Sequence, residues 1–165
     1  MKAIVSVIMG STSDLPVMKK ATDFLNEMKV PFEVNALSAH RTPEAVEAFA
    51  KGAKERGVKV IIAAAGMAAH LAGAIAANTT LPVIGIPIAS GGLGGLDAVL
   101  STLQMPSGIP VETVAVNGEV NSALLAIEML AITDKNLAKA LDEKRQNDKN
   151  AVLEKNQAVE DKFNI

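Results

Sequence analysis

Ala3-Ile4-Val5-Ser6-Val7-Ile8-Met9, followed at once by Gly10-Ser11-Thr12-Ser13-Asp14, decides the fold of this chain. The first seven residues are apolar apart from Ser6. An apolar run without polar alternation suits a strand covered on both faces, as in a parallel sheet flanked by helices. Gly10 breaks the run, Ser11 to Asp14 supply helix-cap residue types, and Leu15, Met18, Ala21, Phe24, Leu25 and Met28 recur at helical spacing. The unit is a strand, a polar turn and an amphipathic helix.

The same unit repeats along the chain. Phe32 to Leu37 reads as a strand with Pro43 to Arg56 as its helix, and Val58 to Ala65 as a strand with Ala68 to Ala77 as its helix. Leu81 to Ile88 gives a fourth strand, Gly91-Gly92-Leu93-Gly94-Gly95 leads to a short helix from Leu96 to Gln104, and Val111 to Val116 with Asn121 to Ile132 completes the series. Five strand-helix units predict an α/β fold with a doubly wound, five-stranded parallel sheet. From Asp134 onward Lys, Asp, Glu, Asn and Gln dominate, with sparse apolar positions at Leu137, Leu141, Val152, Leu153 and Phe163. Residues 1–165 are expected to form one domain, and 134–165 a polar helical tail that either packs on its own domain or contacts a neighbouring subunit.

Composition excludes several classes of function. The core must be built from Ala, Val, Ile, Leu and Met, because aromatic residues make up 2% of the chain and Trp and Tyr are absent. A hydrophobic content of 49% in 165 residues suffices for one core and leaves apolar surface for subunit contacts. A net charge of -2 offers no basic field for a nucleic acid polymer, and no aromatic platform is present to stack single-stranded bases. The lack of cysteine removes disulfides, thiolate nucleophiles and cysteine metal sites. Met1-Lys2-Ala3-Ile4 runs straight into a strand pattern without a signal-peptide cleavage region, and no apolar run is long enough to span a bilayer. A soluble, cytoplasmic chain with no membrane partner is expected.

Three loops at the carboxyl ends of strands hold the candidate chemistry. Gly10 to Asp14 combines close backbone approach, hydroxyl donors and a helix amino terminus, all suited to a phosphate; Asp14 either accepts from ribose hydroxyls or caps the helix. Ser38-Ala39-His40-Arg41-Thr42-Pro43 sets a group that titrates near neutrality beside an anion-binding cation, although Thr42-Pro43-Glu44 is equally a helix start. Ala64 to Leu71 is rich in Ala and Gly, which wall off a dry cavity, and contains the second histidine, His70. In a flavodoxin-like strand order, 2-1-3-4-5, all three loops share one pocket. No dinucleotide fingerprint, Walker sequence or metal-ligand spacing occurs.

Five segments, Met9 to Asp14, Ser38 to Pro43, Gly66 to Leu71, Leu81 to Pro87 and Gln104 to Val111, together closely resemble the N5-carboxyaminoimidazole ribonucleotide mutases, the class I PurE catalytic subunits of phosphoribosylaminoimidazole carboxylase in bacterial purine biosynthesis. The resemblance runs from the first strand to about residue 132 in unbroken motif order. It implies a three-layer α/β/α sandwich assembled as a homo-octamer, a small ribonucleotide substrate, and neither metal nor organic cofactor. It also implies that His40 is the acid and base, that Ser11, Asp14 and Arg41 hold phosphate and ribose, that Ser13 and Ser38 line the pocket, and that Gly66, Ala68, His70 and Leu71 surround the migrating carboxylate. A second class of the family, which carboxylates aminoimidazole ribonucleotide directly with carbon dioxide, usually carries an Ala-Gly-Arg-Ser-Asn type of sequence where this chain has Gly66 to Leu71. A nucleotide or phosphosugar sensor remains the non-catalytic alternative, in which His40 has no necessary part.

Overall fold

A computed structural model describes residues 2–164. The chain forms two compact units, Met1–Met129 and Leu130–Ile165. In the first, β1 (Val5–Met9), β2 (Phe32–Ala36), β3 (Val60–Gly66), β4 (Val83–Ile88) and β5 (Glu112–Thr113) build one sheet in the order β2-β1-β3-β4-β5. Every neighbouring pair is parallel. This is the flavodoxin-like order expected of a doubly wound sheet. The helices are α1 (Leu15–Glu27), α2 (Pro43–Arg56), α3 (Leu71–Ala76), α4 (Leu96–Leu103) and α5 (Glu119–Ala131), and a 3-10 turn at Thr12–Asp14 precedes α1.

The central strands explain their sequences. All five residues of β1 and all six of β4 are buried, as strands covered on both faces require. Ser6, the polar interruption in β1, is fully buried and donates to Glu33 Oε1 at 2.9 Å. Arg56 binds the same carboxylate oxygen at 3.0 Å and lies over the Phe49 ring, 4.9 Å from its centroid. One satisfied network thus joins β1, β2 and α2. In β4, Gly85 is what lets α4 close on the sheet, since a Cβ there would lie 2.4 Å from Thr102 Cγ2.

Several boundaries differ from those read in the sequence. Of the expected α1 stripe, Met18, Ala21, Phe24 and Leu25 are buried, whereas Leu15 at the first helical position faces solvent. Helix α3 starts at Leu71 rather than Ala68, because Met67 adopts a left-handed φ of 55° and Ala68 O, which a helix would offer to the Ala72 N–H, accepts in a tight turn from the His70 N–H at 2.9 Å; the Ala69 N–H donates to Ser101 Oγ on α4. Strand β5 keeps only two residues; Val114 N–H still reaches Gly85 O, after which Asn117 turns to Pro87 O. Leu93, Leu96, Leu100 and Leu103 form an exposed apolar stripe on and before α4.

The second unit is dominated by α6 (Lys135–Phe163), a single helix of 29 residues capped by the Asp134 carboxylate, which accepts from the Asn136 and Leu137 N–H groups. None of its residues is buried, and Val152, Leu153, Val159 and Phe163 are exposed. Among the described residues no helix is long and apolar enough to cross a membrane.

Candidate active site

The strand order carries the loops after β1, β2 and β3 to one edge, where they enclose a cleft of about 480 Å³. All ten residues singled out in the sequence line it: Ser11, Ser13 and Asp14 from the first loop, Ser38, His40 and Arg41 from the second, and Gly66, Ala68, His70 and Leu71 from the third. The wall also includes Gly10, Ala39, Ala65, Met67 and Ser90. Ser90, just beyond β4, was not among the expected residues. The signal for it was its place at the carboxyl end of a strand, overshadowed by the five-residue glycine-rich segment that follows.

Capping accounts for Ser11, whose hydroxyl caps the 3-10 turn, but not for the polar residues that precede the α-helices. Asp14, Thr42 and His70 occupy the positions before α1, α2 and α3, yet none makes a side-chain cap hydrogen bond. Thr42 instead folds its hydroxyl back, donating to Ser38 O at 2.9 Å and accepting from Ser38 N–H at 3.0 Å. Ser38 Oγ in turn accepts from the Arg41 N–H at 3.2 Å, so the Ser38 to Thr42 turn is braced from within. Pro43 keeps its expected place at the helix start.

In the first loop Ser11 Oγ accepts from the Ser13 N–H and lies 2.8 Å from Ser13 Oγ. Asp14 is only 8% exposed, and that burial raises its carboxyl above the ordinary aspartate range; hydrogen bonds from the Ser13 hydroxyl and the Ser11 backbone oppose the rise. Arg41 ties the second loop to the first by donating from Nη2 to Gly10 O at 3.3 Å. It has no carboxylate within ion-pair distance among the described residues, so its charge is available to an anion.

The third loop meets the second through the two histidines. His40 Nε2 and His70 Nδ1 lie 2.9 Å apart, with ring centroids separated by 5.0 Å and planes at 82°. One nitrogen must donate and the other accept, so the tautomers are complementary and two imidazolium rings are incompatible with the contact. The third loop is held from behind: Ser101 Oγ accepts from the Ala69 N–H at 2.9 Å and donates to Asp97 O at 2.7 Å. Gly66 admits Ser90 to the cleft, because a Cβ at Gly66 would fall 2.0 Å from Ser90 Oγ. The cleft therefore presents an unpaired guanidinium, a buried carboxyl and a coupled imidazole pair over a wall of small side chains, a set able to hold an anion and move a proton beside it.

Known proteins similar to this chain in sequence and in shape agree on one family. The AIR carboxylase family model matches residues 4–151. The N5-carboxyaminoimidazole ribonucleotide mutase of Bacillus subtilis is 53% identical over 93% of this chain and 96% of its own length. The mutase of the same description from Pyrococcus horikoshii is 52% identical over 97% of this chain and 90% of its own. The crystal structure of Treponema denticola PurE superposes with a TM-score of 0.85 at 27% identity, covering 98% of both chains. With the matched family spanning all three loops of the cleft, the chain belongs to the AIR carboxylase family.

Proposed function

We propose that this protein is an N5-carboxyaminoimidazole ribonucleotide mutase of de novo purine biosynthesis, converting its substrate to 4-carboxy-5-aminoimidazole ribonucleotide. The observation that carries the reading is the convergence of His40, Arg41 and the small-residue wall of Gly66 to Leu71 on one cleft, in a chain about half identical to enzymes of that description. The phosphate is held by Arg41 and the Ser11 loop through charge-assisted and hydroxyl hydrogen bonds. Asp14 accepts from the ribose hydroxyls, and Ser13 and Ser38 complete the lining. Together they fix the imidazole ring of the nucleotide over His40.

His40 then serves as acid and base. Its protonated ring delivers a proton to the exocyclic nitrogen of the carbamate; the nitrogen–carbon bond breaks, and its electron pair stays on nitrogen. Carbon dioxide is retained against Gly66, Ala68, His70 and Leu71. Ring carbon 4 attacks it, the new carbon–carbon bond forms, and neutral His40 takes the proton from carbon 4, which restores the starting protonation. One imidazole suffices because no net proton is gained or lost. His70, bonded to His40, orients the reacting ring.

The proposed protein acts in the cytoplasm as a homo-octamer. The exposed stripe Leu93, Leu96, Leu100 and Leu103 is apolar surface of the kind that a second copy covers, and α6, with no buried residue, is offered to a neighbouring subunit. Turnover of each candidate substrate in labelled bicarbonate tests the reaction. Conversion of the N5-carboxylated nucleotide without need of bicarbonate is expected. Rapid bicarbonate-dependent carboxylation of aminoimidazole ribonucleotide overturns the mutase in favour of a direct carboxylase.

A further inference from the structure

We propose that Ser90 is a contact of the migrating carboxyl group, its hydroxyl donating to a carboxylate oxygen before and after transfer and to carbon dioxide between. The inference rests on the mutase reading and adds a residue to its machinery. Register places Ser90 beside the carboxylate wall: Gly66 pairs with Ile88 across β3 and β4, and Ser90 lies two residues further on. The 2.0 Å separation between a Cβ built on Gly66 and Ser90 Oγ means that the hydroxyl fills the space a side chain at position 66 would take. It lines the cleft and has no hydrogen-bond partner among the described residues. The hydroxyls around it are engaged: Ser11 and Ser13 with each other, Ser38 with the Arg41 N–H, and Ser101 with Ala69 and Asp97.

The chemistry favours a hydroxyl there over a cation. The group in transit is an anion in substrate and product but neutral when free. A lysine or arginine would stabilise both end states far more than the intermediate and deepen the wells on either side. A hydroxyl donates one hydrogen bond to each species and discriminates between them less.

The test compares the full-length protein with Ser90→Ala and Ser90→Thr, titrating each with 4-carboxy-5-aminoimidazole ribonucleotide and with aminoimidazole ribonucleotide, which lacks the carboxylate. Ser90→Ala is expected to weaken the carboxylated nucleotide by about tenfold, the effect of one hydrogen bond to a charged group, and to leave the other nucleotide unchanged. Ser90→Thr is expected to recover most of the loss. In a single turnover of carboxylate-labelled substrate, Ser90→Ala should release more label as carbon dioxide than the parent. Equal weakening of both nucleotides, or of neither, overturns the role of Ser90 while leaving the mutase standing. Failure of the parent protein to bind either nucleotide overturns the mutase reading and this inference with it.

Discussion

The cleft at the carboxyl edge of the sheet encloses about 480 Å³, whereas a cavity of about 780 Å³ opens at the opposite edge, lined by Lys51, Lys54, residues 76–83, Gly108, Ile109, Pro110 and Glu112. The larger cavity faces the carboxyl ends of α2 and α3; the smaller one faces the amino end of α2 and the loops. Cations belong at helix carboxyl ends, where they meet the negative end of the dipole. Lys51 pairs with Glu47, Lys54 donates to Thr80 Oγ1, the Asn78 amide donates to Ala74 O, and Thr79 Oγ1 accepts from the Leu81 N–H. Glu112 Oε2 alone is buried there without a partner among the described residues. Apart from Glu112 Oε2, the polar groups named in the larger cavity are committed to holding the fold. Those of the cleft are less committed: Arg41 has no carboxylate partner, Asp14 is buried against its charged form, the histidines bond each other, and the Ser90 hydroxyl has no partner among the described residues. The proposed reaction draws on such unspent groups and not on the larger volume.

The largest expected effect comes from His40→Asn. An amide has neither a proton to donate at neutral pH nor basicity to recover one, so turnover should fall by roughly 10²- to 10⁴-fold. His40 is exposed and outside the core, so the melting temperature should stay near that of the parent. Steady-state kinetics beside a thermal melt checks both halves. Near-normal turnover in this variant would remove the cleft's claim to the chemistry.

Those groups were legible to different degrees before the fold was known. Strands β1 to β4 and α2 could be read because each signal is local: an apolar run, and Pro43 at the helix start. The shared pocket could be read because strand order and the carboxyl-edge rule place loops without knowledge of side chains. The contact between His40 and His70 could not, since it joins residues 30 apart at a distance set by the packing of β2 and β3 on β1. The anchoring of the third loop depends on Ser101, which is 32 residues from Ala69. Ser90 was hidden for the same reason, because its value depends on the missing side chain of Gly66 across the sheet.

Asp14→Asn separates stability from function within the cleft. Burial lifts the carboxyl of Asp14, which means that the folded protein holds the proton more tightly than the unfolded chain. Its contribution to stability is therefore full below the ordinary aspartate value and lost as pH rises through the folded value, so ionised Asp14 is a cost at neutral pH. The amide removes the charge. Asp14→Asn should melt higher than the parent at pH 7, with the difference closing as pH falls into the carboxylate range, while turnover drops by about tenfold through loss of the charged acceptor proposed for ribose. A variant that melts lower at pH 7 would mean that the ionised carboxylate is well satisfied, and Asp14 would move from the unspent groups to the spent ones.

The smallest effect belongs to the larger cavity. Lys54→Ala removes a hydrogen bond to Thr80 and a charge at the carboxyl end of α2, two surface contributions of about 0.3–1 kcal/mol each at most. The melting temperature should fall by only a few degrees, and kcat/KM should stay within about twofold of the parent, since the lysine lies at the far edge of the sheet from His40. The prediction is sharp because it runs against volume: if size marked the working cavity, this substitution would be the damaging one. A tenfold loss of kcat/KM in Lys54→Ala, with the fold intact, would show that the two edges are coupled and that the committed lysine has a second use.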